Sequence, residues 1–571
     1  MINEINRIID KQYKKKFIIL ILTLLIGILL EMISIGMILP VLATIIDPEN
    51  SVRIIENFSL DLSFFKISEN NVIFITLVLL VSIFIVKNVT LYFLQKFQAK
   101  NYAKFNENLQ NTLFTKYINQ SITYLTQINT AFINRNVIEL STHFTYQFIN
   151  ALTISFIESI FLLGILIILI IANPFITIVG FLCVLFFAFL IFLINKRILL
   201  SAGELNKIHV GKRIKYLQEA FGGILEVKSF KKENYFIENF SKQNKIINNL
   251  QVKLGIIQFT PRLFLETISV ILLSFLIIFF INNNNNIINI ISLLGLYVYA
   301  VIRILPSLNR ILISIQRARY SLPVLNEIYF VINSLKKPVD YNEKKLIFEN
   351  NIEIKNISYE YDETKKILDK ANLEIKKNSL VGVIGQSGSG KSTILKIFLG
   401  LLKPSEGEIL VDKNSIYDFL NSWQNKISFV PQDVYILDDN IKKNIALGIV
   451  ENQIDSDNLK YAIKFSNLEK FIENLPEGTN TILGEKGSRI SGGQRQRIGI
   501  ARALYNQPEI LVLDEATSSL DEKNEFEIFE ELNSLKKKLT IVFATHRKTL
   551  RKYCDSLFEI ENKKFNKINF K

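Results

Sequence analysis

Cysteine, histidine and tryptophan are scarce, with two, three and one in 571 residues. The two thiols, Cys183 inside an apolar run and Cys554 near the C-terminus, exclude a disulfide framework and a cysteine-rich zinc site. Proline (11) and glycine (23) are too few for a collagen-like or low-complexity chain. Charge is thin at 21%, hydrophobic residues reach 49% and mean hydropathy is +0.26, which excludes a disordered chain. The net charge of +14 is also absent from half of the molecule. Residues 1–340 hold 32 Lys and Arg against 19 Asp and Glu, whereas residues 341–571 hold 35 against 34. A nucleic-acid binder would not split this way, so no nucleic-acid partner is expected. A membrane half joined to a near-neutral soluble half does split this way.

Long apolar runs are plentiful. A spanning helix needs about 20 mostly apolar residues. Six segments meet that length: 17–42, 72–94, 151–172, 175–194, 263–281 and 287–305. The first outruns a signal-peptide core and has no small-residue cleavage site before Glu31, so it reads as a span. Asn173-Pro174 reads as a tight turn between the third and fourth. Positive charge orients them. Residues 1–16, 96–150 and 196–255 carry five, five and twelve Lys and Arg, while 43–71 carries two against five acids. Both termini and the soluble half are therefore expected in the cytoplasm. The basic loops keep helical patterning and read as helices running beyond the bilayer. The external loop 43–71 reads equally as a surface-lying amphipathic helix or a solvated loop.

Charges within spans are costly and tend to face cavities or partners. Lys87, Arg262, Arg303 and Arg310 stand in or beside the second, fifth and sixth spans, and Glu31 and Glu158 in the first and third. Four cations on three helices suggest a positive cavity suited to an anionic headgroup, since a phosphate accepts bidentate Arg hydrogen bonds. Local pairing, as between Arg262 and Glu266, is the competing explanation for each.

The soluble half alternates apolar and polar residues over 351–361 and 372–377, then runs through the buried-strand pattern LVGVIG into QSGSGKSTILKIF. Gly385-Gln386-Ser387-Gly388-Ser389-Gly390-Lys391-Ser392 fits the P-loop pattern between a strand and a helix. Its backbone amides would cradle phosphates, Lys391 would reach the β- and γ-phosphates, and Ser392 would bind Mg²⁺. The strand ILVLDE brings Asp514 and Glu515 to the sheet edge where ligands sit, Asp514 suiting Mg²⁺ and Glu515 the attacking water. A third strand, LTIVFATH, delivers His546 to the same edge.

Ile490-Ser491-Gly492-Gly493-Gln494-Arg495-Gln496-Arg497 resembles the signature motif of ABC transporters, with Ile490 where Leu is usual. Val430-Pro431-Gln432 is similar to that family's Q-loop, Ser519-Leu520-Asp521 to its D-loop, Tyr361 to its adenine-stacking aromatic and His546 to its switch histidine. The resemblance covers 350–571. It implies ATP bound by Tyr361, Gln386 through Thr393 and Gln432, with Gln432 also at the Mg²⁺. It implies Ser491, Gly492, Gly493 and Gln494 acting in trans on a second copy's ATP. It further implies a fold of six transmembrane helices followed by an α/β P-loop nucleotide-binding domain, with a transmembrane domain 1–335, linker 336–349 and nucleotide-binding domain 350–571. One such domain per chain implies a homodimeric half-transporter of type I exporter fold in a bacterial plasma (inner) membrane. Coupling helices are expected near 119–126 and 221–232.

LLEMISIGMILPVL, PRLFLETISV and VIRILPSLNRI in the first, fifth and sixth spans are similar to the lipid-linked oligosaccharide flippase of bacterial protein N-glycosylation. That resemblance implies a flippase for a polyprenyl-pyrophosphate-linked glycan, an anionic lipid-linked substrate, met by Arg262, Arg303 and Arg310. Lys87 stands where an arginine is expected. Export of lipids, drugs or peptides stays open, with cleavage-coupled peptide export not expected because the residues before the first span do not read as a Cys-protease domain. A membrane-anchored regulatory ATPase also stays open.

Overall fold

The computed structural model describes residues 2–9, 11–37, 41, 44, 69–282, 287–335, 344–361, 366–516, 522–546 and 548–568. Loop 43–71 apart from a few end residues, most of the Asn run 282–286, and Ser519–Asp521 lie outside the described residues. The chain forms two compact units. One is Met1–Gln120 with Leu125–Pro338, the other Val339–Lys571 with the short segment Ser121–Tyr124.

The first unit is helical. Among the described residues, six of its helices are long and apolar enough to cross a membrane: Gln12–Ser34, Ile73–Ile118, Thr130–Ile171, Pro174–Gly222, Glu233–Phe275 and Tyr297–Tyr320. Each overlaps one of the six runs read from the sequence. Four of them have 42 to 49 residues. At 1.5 Å per residue these are about 65–75 Å long, twice the hydrocarbon thickness of about 30 Å, so they extend well past the bilayer. Leu22, Ile85, Phe186 and Ile271 are exposed on their outer faces, as residues turned toward acyl chains are. Inside, Ile28, Phe161, Ile165, Leu169, Tyr297 and Ala300 pack as one cluster. Asn173 caps the helix Pro174–Gly222 by accepting from Ile176 N at 3.3 Å, and Pro174 opens it, so the third and fourth spans turn within one residue.

The run into the third span is not a plain α-helix. Arg135–Leu140 and Phe144–Ile149 are π-helical turns flanking Ser141–His143. Ser141 Oγ and Thr145 Oγ1 donate back to the carbonyls of Val137 and Ser141, at 2.5 and 3.0 Å. Such back-bonding competes with the regular helical ladder.

The second unit is α/β. A six-stranded sheet runs in the order β10 (Lys564–Ile568), β9 (Ser556–Glu561), β3 (Leu380–Ile384), β8 (Thr540–Thr545), β7 (Ile510–Asp514), β6 (Ile427–Val430). All neighbours are parallel except β9 and β10. β3, β7 and β8 are buried at every residue, which is why they read as unbroken apolar runs. A second, antiparallel sheet orders β2 (Lys366–Lys376), β1 (Asn351–Glu360), β4 (Glu406–Val411), β5 (Asn414–Ser415). The single tryptophan, Trp423, is fully buried, donates to Phe398 O at 2.8 Å and meets the Phe398 ring edge-on. Ile122 of the short segment Ser121–Tyr124 packs against this same core.

Candidate functional site

The site is a consequence of sheet register. Ile384 on β3 lies opposite Thr545 on β8, and Asp514 on β7 lies opposite Ala544. Three strands thus end level, and the residues immediately C-terminal to each strand emerge at one edge: the loop 385–390, Glu515 and His546. The helix Lys391–Phe398 starts directly after the loop. Gly390 must be glycine. Its φ is +106°, and a Cβ there would meet Ile367 Cγ2 at 3.0 Å. Gln386, Ser387 and Gly388 are exposed, whereas Ser389 Oγ is buried with no hydrogen-bond partner among the described residues. A buried hydroxyl and a glycine-rich turn at a helix start fit a phosphate group.

Lys391 is 4% exposed. Its Nζ donates to the carbonyls of Gly385 and Gln386 at 3.0 and 3.1 Å, and lies 3.1 Å from His546 Nε2 and 3.6 Å from Glu515 Oε1. Burial lowers its pKa below the ordinary lysine value, partly opposed by the charge of Glu515. An anion would relieve that desolvation. Glu515 Oε1 is 2.7 Å from His546 Nε2, and its Oε2 accepts from Gln432 Nε2 at 2.9 Å. Glu515 takes φ +50°, in the left-handed region that a glutamate seldom occupies. Its amide donates to Ala544 O at 3.1 Å, which helps hold that turn. The carboxylate therefore sits among lysine, histidine and glutamine, a geometry able to orient a water next to a phosphate.

Ser392 Oγ donates to Asp514 Oδ1 at 3.1 Å. Asp514 is 5% exposed, and burial raises its pKa, opposed by the Ser392 hydrogen bond. A buried carboxylate beside a hydroxyl is a hard-oxygen pair suited to Mg²⁺, which is held by one or two carboxylates together with substrate phosphates. Among the described residues no group of three His, Cys, Asp or Glu is placed to hold a metal, so phosphates would have to complete the shell. Gln432, expected at the metal, here donates to Glu515. Tyr361 is half exposed, meets the Tyr359 ring edge-on at 5.0 Å, and its hydroxyl is 3.4 Å from Thr393 Oγ1.

Ser491 caps the helix Gly492–Tyr505. Its side chain accepts from Gln494 N at 3.2 Å, and Gln494 Oε1 accepts from Ser491 N at 2.9 Å. This capping box presents an exposed helix N-terminus. Among the described residues, none of Ser491, Gly492, Gly493 or Gln494 hydrogen-bonds to the loop 385–390.

One support escaped sequence reasoning. Arg502 Nε and Nη1 donate to the carbonyls of Asn444 and Tyr435 at 2.8 and 3.0 Å. Asn444, fully buried, in turn donates to Leu437 O at 3.1 Å and accepts from Leu437 N at 2.8 Å. The clamp shapes the segment after Gln432, and no local pattern announces it.

In the first unit the span cations are mostly paired. Arg262 Nε donates to Glu266 Oε1 at 2.7 Å. Arg303 Nη1 is 3.5 Å from Glu31 Oε1. Arg310 binds Glu158 through two bonds of 2.5 and 3.1 Å. Lys87, 3% exposed, has its Nζ 4.4 Å from the Phe84 ring centroid and lies within electrostatic reach of Arg303 and Glu31. Among the described residues it has no carboxylate at ion-pair distance. Glu31 and Glu158, visible in the sequence as lone charges in apolar runs, are thus part of this constellation. A separate cavity of about 160 Å³, lined by residues such as Leu162, Leu166, Leu265 and Leu305, carries no charged residue.

Residues 17–304 match the family model of the ABC transporter transmembrane region, and residues 368–518 that of the ABC transporter. A curated relative, ABC transporter B family member 29, chloroplastic, of Arabidopsis thaliana is 38% identical over 42% of this chain and 39% of its own length. A leukotoxin translocation ATP-binding protein of Mannheimia glucosida is 38% identical over 40% of this chain and 32% of its own. The matched stretch thus spans a third to two fifths of these relatives. A solved bacterial Atm1-family ABC exporter with ATP bound shares the fold with TM-score 0.77 at 19% identity, covering 97% of this chain and 95% of that one. A helical unit with six candidate spans, an α/β unit with a phosphate loop, and a family match across half of the sequence lead to one conclusion: the chain belongs to the ABC transporters.

Proposed function

We propose that this chain is half of an ATP-driven exporter, working as a homodimer, and that it moves an anionic lipid-linked substrate of the polyprenyl-pyrophosphate glycan kind. The ATPase part rests on the convergence of Lys391, Glu515, His546 and Gln432 at one sheet edge. ATP would lie with its phosphates over the loop 385–390, its adenine on Tyr361, and Lys391 turned to the β- and γ-phosphates. Mg²⁺ bound at Ser392 and Asp514 supplies charge neutralisation at the phosphates. Glu515 orients the attacking water, and His546 steadies Glu515 and the γ-phosphate. The capped, exposed N-terminus at Ser491 suits the γ-phosphate of a second copy, which is why a dimer is proposed. Positive loop charge supports a cytoplasmic location for this unit and for both termini, in a bacterial inner membrane.

The substrate part rests on Lys87, Arg303 and Glu31, two cations to one carboxylate on three spans. A net positive cluster in a poorly hydrated place favours an anion. The test is ATP hydrolysis and glycolipid translocation in proteoliposomes. Arg303→Ala with Arg310→Ala should abolish translocation while basal hydrolysis persists; unchanged translocation refutes the glycolipid reading.

The charge-free cavity of about 160 Å³ favours a second reading, export of an apolar lipid or drug. Under it, apolar cations raise the ATPase rate and the double substitution leaves that stimulation intact.

A further inference from the structure

Three residues that line one small cavity of about 20 Å³ in the helical unit each carry a buried polar atom with no hydrogen-bond partner among the described residues. The atoms are Asn206 Oδ1, Tyr320 Oη and Ser321 Oγ, on residues 9%, 5% and 0% exposed. Native proteins seldom leave such groups unsatisfied, so three around one space point to an occupant. We propose that this cavity binds a single structural water, which ties the helices of the third, fourth and sixth spans together at the joint after Tyr320.

The size sets the first limit, since about 20 Å³ accommodates one water and no larger guest. Hydrogen-bond chemistry sets the second. Asn206 Oδ1 only accepts, so it needs a guest that donates. Tyr320 and Ser321 hydroxyls can accept as well as donate, but with no other acceptor bonded to them among the described residues their protons call for a guest that accepts. A bare cation could be held by these oxygens but would leave both hydroxyl protons without an acceptor, and a simple anion donates nothing. Water does both, and Glu139 and His143, which also line the space, are the wall residues that could take its second proton. Lys207, another wall residue, is committed to Glu327 Oε2 at 3.1 Å.

The place is a joint. The helix Ile287–Tyr320 ends there and Leu322–Ser334 begins, with Ser321 at the N-cap position yet making no side-chain cap bond. Its hydroxyl is thereby available to the water. Gly203 lets the helix Pro174–Gly222 approach, because a Cβ there would stand 2.1 Å from Tyr320 O. On the other wall, Glu139 lies in the π-helical turn Arg135–Leu140. A π turn, a helix break and a water at one point would let the sixth span pivot without stranding a buried polar group.

The test uses the full-length protein in lipid nanodiscs. Tyr320→Phe and Ser321→Ala, nearly isosteric changes, should each lower the unfolding midpoint by about 1–3 °C. The pair together should cost little more than either alone, because both act through the same water. A higher midpoint for either variant would mean a dry cavity and overturn the proposal, as would additive losses. A midpoint that climbs with sodium or potassium in the wild type would overturn it in favour of a cation. A map resolving waters should show one peak within hydrogen-bond distance of all three oxygens; a map without that peak refutes the site.

Discussion

The two units place their charged side chains in opposite ways. In the α/β unit, Lys391, Glu515, His546 and Asp514 come from three segments whose order is dictated by one sheet edge, and each segment announces itself by a short motif. In the helical unit, Arg310 meets Glu158 from 152 residues away, and neither neighbourhood names the other. A motif encodes a site when the backbone itself makes the ligand cradle. A pair of side chains on separate helices is encoded only through packing.

The contrast can be broken at several points. The largest expected effect is at the sheet edge. Glu515→Gln keeps the shape but loses the charge, and ATP hydrolysis should fall about 100-fold or more, the range for losing a general base. Phosphate release measures it, and the variant should hold nucleotide as a dimer. Retention of the wild-type rate would remove Glu515 from the mechanism.

Next comes the helical unit. Arg310→Leu leaves Glu158, 14% exposed in its side chain, without its partner. Arg310 itself is half exposed, so the cost should be about 1–2 kcal/mol, and Arg310→Leu with Glu158→Leu should recover most of it. Thermal unfolding in lipid checks both. A double variant no better than the single would show the pair is not one electrostatic unit.

Asp412 gives a comparable and pH-dependent effect. Burial pushes its pKa up, but the backbone amides of Glu349, Asn351 and Asn350 outweigh that and hold its carboxyl below the ordinary value. Its contribution is therefore present above the unfolded pKa of about 3.9 and fades as pH falls through the lower folded value. Asp412→Asn should cost about 1–2 kcal/mol at neutral pH and nothing at strongly acid pH, read from denaturant midpoints. A penalty that persists at acid pH would assign the effect to shape rather than charge.

Smallest is the helix cap. Ser491→Ala removes one side of the capping box and should lower stability by about 1 kcal/mol. If Ser491 also meets a second copy's ATP, hydrolysis should fall by more than that loss of stability accounts for, in a steady-state assay below full unfolding.

Much of the site was legible because its chemistry is contiguous. Gly385 to Ser392 contains its own turn, helix start and lysine, and Asp514-Glu515 ends an apolar strand whose burial on both faces is written as an unbroken run. The span count was legible too, since hydrocarbon thickness demands a minimum apolar length. Arg502 was not, because its partners are backbone carbonyls, which leave no mark in a sequence. The turns at Arg135–Leu140 and Phe144–Ile149 were not either. They rest on hydroxyl bonds such as Ser141 Oγ to Val137 O and Thr145 Oγ1 to Ser141 O, which the apolar pattern does not encode.

Composition and local pattern alone settled that six stretches seek hydrocarbon, that a phosphate loop lies between a strand and a helix, and that acid and histidine come directly after two further strands. Such features need only neighbours in the chain, with transfer of apolar surface or backbone geometry as the driving force. Tertiary structure decided that Glu515 is shared among Lys391, His546 and Gln432, and that Arg303 and Arg310 are countered by Glu31 and Glu158. It also decided that Asn206, Tyr320 and Ser321 face one small space. Those outcomes depend on which helices and strands lie side by side, because Coulomb and hydrogen-bond energies fall off within a few ångströms whatever the separation along the chain.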